Sequence, residues 1–99
     1  MQDRITMKML DEGVNALNTK LGYPTEYWQD YKIDGKWISN PGHFYIGQAY
    51  GGYRLEQLTN KGCSAYDISP RGTKREVWTY VTAMTKGASY MSSAIHAND

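Results

Sequence analysis

Cysteine is almost absent, long apolar runs are absent altogether, and neither sign of charge is in excess. With Cys63 as the single cysteine, no disulfide can close within the chain and no cysteine-based metal site can be built from one copy, which fits a reducing compartment. The opening residues, MQDRITMKML, lack the apolar stretch of about 7 to 15 residues that a secretory leader needs, and no run approaches the roughly 18 apolar residues of a membrane span. A soluble cytoplasmic protein with no membrane partner is expected. Lys and Arg number 11 against 10 Asp and Glu, a net charge of +1, so no global field draws the chain to nucleic acid or an anionic surface. Any such contact needs a local patch. At 99 residues only one core can form.

What is abundant is tyrosine, nine residues beside three tryptophans, and two segments with helical period. Met7, Leu10, Val14, Leu17 and Leu21 recur at intervals of three and four, with Lys8, Asp11, Glu12, Asn15 and Asn18 assigned to the opposite face. Thr6 or Asp3 can cap this helix, Gly22 suits its C-terminal end, and Pro24 stops it. From Tyr27 to Thr59 the pattern is that of strands. KIDGKWI sets Asp34-Gly35 between two short runs, the chemistry of a type I′ hairpin, and SNPGH is a loop. HFYIGQA and YRLEQLT read as strands joined through Gly51-Gly52, and residues 60–72 as a connecting loop. TKRE, from Thr73 to Glu76, is a capping box opening a second helix whose stripe is Val77, Val81, Met84, Ala88 and Met91. The expected fold is a single α+β domain over residues 1–91 with a frayed tail at 92–99. In it a helix, three or four antiparallel strands and a helix form a two-layer sandwich with both helices on one sheet face.

Few groups invite catalysis. Cys63 and His43 could form a nucleophile and base, or be a small thiol and a loop histidine; Asp11, Glu12, Asp30, Asp34 and Asp67 read as solvated charges. No catalytic residue, metal ligand or cofactor is assigned, and a non-enzymatic protein is expected. The pair Gly51-Gly52 could cradle a phosphate, but a P-loop needs a Lys and a Ser or Thr after its last glycine, and AYGGYRLEQ offers neither. A turn is the better reading. A strict two-residue turn on the glycines sets Tyr50 opposite Tyr53 and Gln48 opposite Leu55, and leaves Leu58 on the other face from Leu55. A bulge or longer loop would restore one apolar face.

Two surface features are candidates for binding. Arg71, Lys74 and Arg75 gather at the start of the second helix, where positive side chains oppose the helix dipole; they form an anion or phosphate contact, or simply a solvated helix end. Between Tyr23 and Tyr53 lie nine rings, and alternation along a sheet with one buried face leaves several exposed. Tyr27, Trp28, Tyr31, Trp37, Tyr45, Tyr50 and Tyr53 are the candidate partner-binding set; the alternative is that the rings fill the core.

The segments LNTKLGYPTEYW, GHFYIGQAYGGYRLEQLTNKG and SPRGTKREVWTYVTAMTKG resemble short phage- and prophage-encoded proteins of unassigned function, over about Leu17 to Gly87. That resemblance implies an accessory role in the bacterial host cytoplasm, binding and inhibiting a host or anti-phage defence protein such as a CRISPR effector, with no catalytic residue. The order helix, strands, helix is also similar to the double-stranded-RNA-binding domain. That likeness implies minor-groove contact by His43 of NPGH and phosphate contact by Lys74 and Arg75, although Trp78 stands where a further lysine would be. The leading expectation is therefore an inhibitor acting through an aromatic-rich surface, and the alternative a nucleic-acid-binding module.

Overall fold

A computed structural model describes residues 4–49 and 51–97, and of 90–97 the backbone alone. The first helix, α1, spans Met7–Leu21. Thr6 caps it, its Oγ1 accepting from the Met9 amide at 3.2 Å, and Gly22 ends it in the left-handed region at φ 79°. The buried stripe is Leu10, Val14, Leu17 and Asn18. Asn18 thus lies on the inner face, contrary to the polar face assigned to it from sequence. Four residues beyond Val14 it falls under the same stripe, while Leu21 is exposed.

Five strands follow: β1 Trp28–Ile33, β2 Lys36–Ser39, β3 Phe44–Ala49, β4 Gly52–Leu58 and β5 Ala65–Asp67, and then α2, Lys74–Ala97. They form two antiparallel sheets, β1-β2 and β3-β4-β5, where three or four strands in one sheet were expected. Asp34 and Gly35 both take positive φ, 51° and 75°, as a type I′ hairpin requires. β5 lies within the segment read as a loop; three residues are too few to show a period. The capping box forms as expected, with the Thr73 amide donating to Glu76 Oε1 at 2.9 Å and the Glu76 amide to Thr73 Oγ1 at 3.1 Å. α2 continues past Met91 to Ala97.

α1 packs on β3, α2 on β4, and the helices on each other, so both cover one face of the three-stranded sheet. The core between the layers is Ile5, Leu10, Val14, Leu17, Phe44, Leu55, Val77 and Val81. Ala49 pairs with Gly52 and Ile46 with Leu55, so two residues connect β3 to β4, one position earlier than a turn centred on the glycine pair. Phe44, Ile46, Tyr53 and Leu55 lie on the helix side, as they would in either register. Leu58 does face the other way from Leu55, and it is buried there, as is Ile38, outside the main cluster. The mismatch read from sequence is resolved by a sheet with apolar positions on both faces. The irregularity lies at the opposite end of the ladder, where Leu58 faces both Gly42 and His43: the Gly42 amide donates to its carbonyl at 2.8 Å, and its own amide donates to the His43 carbonyl at 2.9 Å.

The glycine pair serves a close approach of two backbones. Tyr53 and Gly72 exchange two hydrogen bonds of 2.8 Å, which lays the 71–72 segment across the start of β4. A Cβ on Gly52, whose φ is 120°, would strike the Gly72 carbonyl oxygen, and one on Gly51 would sit 3.1 Å from Arg71 Cδ. Only glycine fits both the conformation and the gap.

Candidate functional site

The β1-β2 hairpin stands out from the two-layer body as an arm. Its strands pack chiefly on each other. Its base is tied down by polar contacts. Ser39 is fully buried; its amide donates to the Lys61 carbonyl, and its hydroxyl donates to the Asn60 carbonyl and accepts from the Cys63 amide. The Asn40 side chain donates to the carbonyls of Glu26 and Trp28 at 2.9 and 3.2 Å, and the Asn40 amide to that of Tyr27 at 2.8 Å.

Beyond this base the arm exposes large apolar side chains: Trp28 at 48%, Tyr31 at 44%, Ile33 at 51% and Trp37 at 54%. Lys32 pairs with Trp37, and its Nζ sits 4.8 Å from the Trp37 ring centroid; Trp28 pairs with Ser39, two residues along from Trp37. The tryptophans therefore share one side of the arm and Ile33, paired with Lys36, takes the other; the ladder is irregular between Trp28 and Lys32, where Tyr31 lies. At roughly 200 Å² per large side chain, about half of it exposed, the four present roughly 400 Å² in all, divided between the sides of the arm.

The other rings are placed differently. Phe44 is the one aromatic among the buried hydrophobics of the described residues, so the reading in which the rings fill the core does not hold for them. Tyr53 is half-buried against the core. Tyr27 and Tyr45 meet edge to face, centroids 5.1 Å apart, with His43 5.9 Å from Tyr27 and stacked 6.2 Å from Tyr45. The Tyr45 hydroxyl donates to Glu56 Oε1 at 2.9 Å, and Arg54 bridges Glu56 and Asp67 at 3.3 and 3.2 Å. Burial and then the Glu56 hydrogen bond hold the Tyr45 phenol well above its ordinary range. Burial and then the hydrogen bond with Cys63 raise Tyr27 as well. Both phenols are neutral at physiological pH. Tyr50 lies outside the described residues.

His43 lies in the loop between β2 and β3, as expected, and its side chain is buried. Its Nδ1 lies 2.9 Å from the Pro24 carbonyl, which can only accept, so Nδ1 carries the proton and donates. The 3.3 Å approach of Asn18 Nδ2 to the same nitrogen is then a contact of two donors. Tyr27 stands between His43 and Cys63, its ring centroid 5.9 Å from that of His43 and its hydroxyl hydrogen-bonded with Cys63. The nucleophile and base pair considered from sequence is not assembled.

Arg71, Lys74 and Arg75 do come together. With Arg4 they surround an open cleft of about 750 Å³ whose floor is Gly51, Gly52 and Tyr53, and Lys74 Nζ lies 5.5 Å from the Tyr53 ring centroid. Arg71 Nη1 is sequestered there with no hydrogen-bond partner. His43 takes no part in this cleft, so the four candidate anion contacts divide into three at the cleft and one in the interior.

No family model, curated protein or solved structure matches this chain. The site must be judged on its geometry, and the arm is its best-defined feature. Sequence reasoning missed Ile33, which carries no ring; its place two residues from Tyr31 in a strand was the available signal. Among the described residues no helix is long and apolar enough to cross a membrane.

Proposed function

We propose that this protein is a non-enzymatic binding protein that docks a protein partner through the β1-β2 arm. One observation carries the reading: Trp28, Tyr31, Ile33 and Trp37 stand about half exposed on a hairpin fixed only at its base. A two-stranded hairpin is marginal in water by itself. Large rings on it complete their burial only when a partner covers them, and Trp and Tyr are the side chains that dominate such interfaces. The resemblance to short phage-encoded proteins directs the search for that partner to host and defence proteins of the bacterial cytoplasm, which the arm would block.

A pull-down from bacterial lysate, with and without nuclease, tests this. Wild type captures a protein in both arms of the experiment, and Trp28→Ala with Trp37→Ala weakens the purified complex by about 2 kcal/mol or more. Equal affinity of the double variant would refute the assignment. A second reading, nucleic-acid binding, is favoured by the gathering of Arg71, Lys74, Arg75 and Arg4 around Tyr53. It requires a mobility shift at low salt that is lost steeply as salt rises, and capture that nuclease abolishes.

A further inference from the structure

We propose that the free edge of β3 accepts an extended, basic segment of a partner as an added antiparallel strand. The sheet order β3-β4-β5 makes β3 an edge. The Leu58 amide bonds to the His43 carbonyl, whereas Phe44 directs its amide and carbonyl to Asn18, so the backbone of Phe44, Ile46 and Gln48 points away from β4. Asn18 occupies the edge at Phe44 alone, its Oδ1 accepting at 2.8 Å and its Nδ2 donating at 3.0 Å, in imitation of a strand neighbour. The amides and carbonyls of Ile46 and Gln48 have no such partner among the described residues.

Natural edges are blunted by charge, proline or brevity. The other edge, β5, is three residues long, ends in the ion-paired Asp67 and is followed by Pro70. FYIGQA has no charge and no proline. Along it runs a groove of about 440 Å³ lined by Asp11, Glu12 and Asn15 of α1 and by Phe44, Tyr45 and Ile46 of β3. Tyr45 faces one side of the sheet and Phe44 with Ile46 the other, so a groove touching all three lies at the strand's edge, in the plane where a further strand would add.

The chemistry of the occupant follows from register. Its residue opposite Ile46 exchanges two hydrogen bonds with Ile46 and projects its side chain to the α1 side. There Asp11 and Glu12 are exposed, and neither forms an ion pair among the described residues. An Arg or Lys is complementary at that position, and its neighbours on the added strand project over Tyr45, where apolar side chains fit. This surface is separate from the arm and does not depend on the arm's role.

The probe is the capped peptide Thr-Thr-Val-Arg-Val-Thr-Thr, whose valines flank the Arg and face Tyr45, titrated into the isotope-labelled full chain and followed by amide chemical shifts and hydrogen exchange. The Ile46 and Gln48 amides should shift and gain protection. Exchange of the central Arg for Glu, or Asp11→Lys with Glu12→Lys in the protein, should weaken binding ~10-fold, while Trp28→Ala with Trp37→Ala leaves it unchanged. Three results would each overturn the proposal: no perturbation at Ile46 and Gln48 with millimolar peptide, equal binding of the Glu peptide, or protection of those amides by self-association without peptide. Failure of the arm variants to disrupt the lysate complex would bear on the arm alone.

Discussion

Replacing Asn18 by Ala should cost the fold about 3 kcal/mol, a large loss for one polar side chain. Asn18 is fully buried, and its amide makes two hydrogen bonds with the Phe44 backbone, at 2.8 and 3.0 Å. Its approach to His43 Nδ1 is not counted, because that nitrogen already donates to Pro24. Truncation leaves a buried amide and a buried carbonyl without partners, each at a cost of about 1–3 kcal/mol. The lower half of the summed range applies, since the vacated space adjoins the groove beside β3 and lets water reach one of the two groups. Against a total stability of roughly 5–15 kcal/mol for a chain of this length, the loss lowers Tm by roughly 12–24 °C. Urea unfolding followed by tryptophan fluorescence measures it, with Asn15→Ala on the exposed face of the same helix as the control, expected within about 0.5 kcal/mol of wild type. If Asn18→Ala fell within about 1 kcal/mol of wild type, the claim that this amide substitutes for a strand neighbour would fail.

Other substitutions separate conformation, collision and titration. Gly52→Ala combines a φ of 120° with a clash against the Gly72 carbonyl and should cost about 3 kcal/mol or more by denaturant unfolding, whereas Gly35→Ala, at φ 75° with open space around it, should cost about 1 kcal/mol. Tyr45 is held above the ordinary phenol value of 10.0, first by burial and then by Glu56, so the fold favours the neutral form. The stability this provides is whole below pH 10 and is lost as pH rises from there through the folded-state value; Tyr45→Phe should flatten that alkaline decline in thermal melts. Trp28→Ala with Trp37→Ala removes rings that are about half buried, Trp28 against Tyr27 and Trp37 under Lys32, and should lower the unfolding free energy by about 1–3 kcal/mol. A larger loss would mean that the rings hold the body together.

The elements governed by local chemistry were legible in the sequence. Thr6, Asp34-Gly35 and the Thr73 and Glu76 box act within a few residues, and each forms as its residue types dictate. Long-range features were not legible. Asn18 reads as a surface residue by type, and only the position of Phe44, 26 residues away, makes its amide a strand neighbour. The split into two sheets depends on Ser39 bonding to residues 60, 61 and 63 in place of a fourth ladder, a contact with no period to announce it. Of the site, the basic trio was visible as a cluster in sequence. Its separation from His43 was not, because an exposed loop histidine and a buried one share the same letters.

The division of the rings is what gives the arm its meaning. A small domain short of large aliphatic residues would be expected to bury its tryptophans first, since they carry the most apolar area. Here the buried positions go to Leu, Val, Ile and Phe44, while Tyr27, Tyr45 and His43 stack on the outer face of the sheet and satisfy their polar ends within it. The body is therefore complete without Trp28, Tyr31 and Trp37. Trp28 leans on Tyr27, centroids 4.7 Å apart, and Trp37 carries Lys32, yet each ring keeps about half of its surface open, and polar residues at those strand positions would support the same type I′ hairpin. Large side chains that the fold uses only in part, held on a segment anchored by buried hydrogen bonds at one end, are explained by a surface that covers the rest of them.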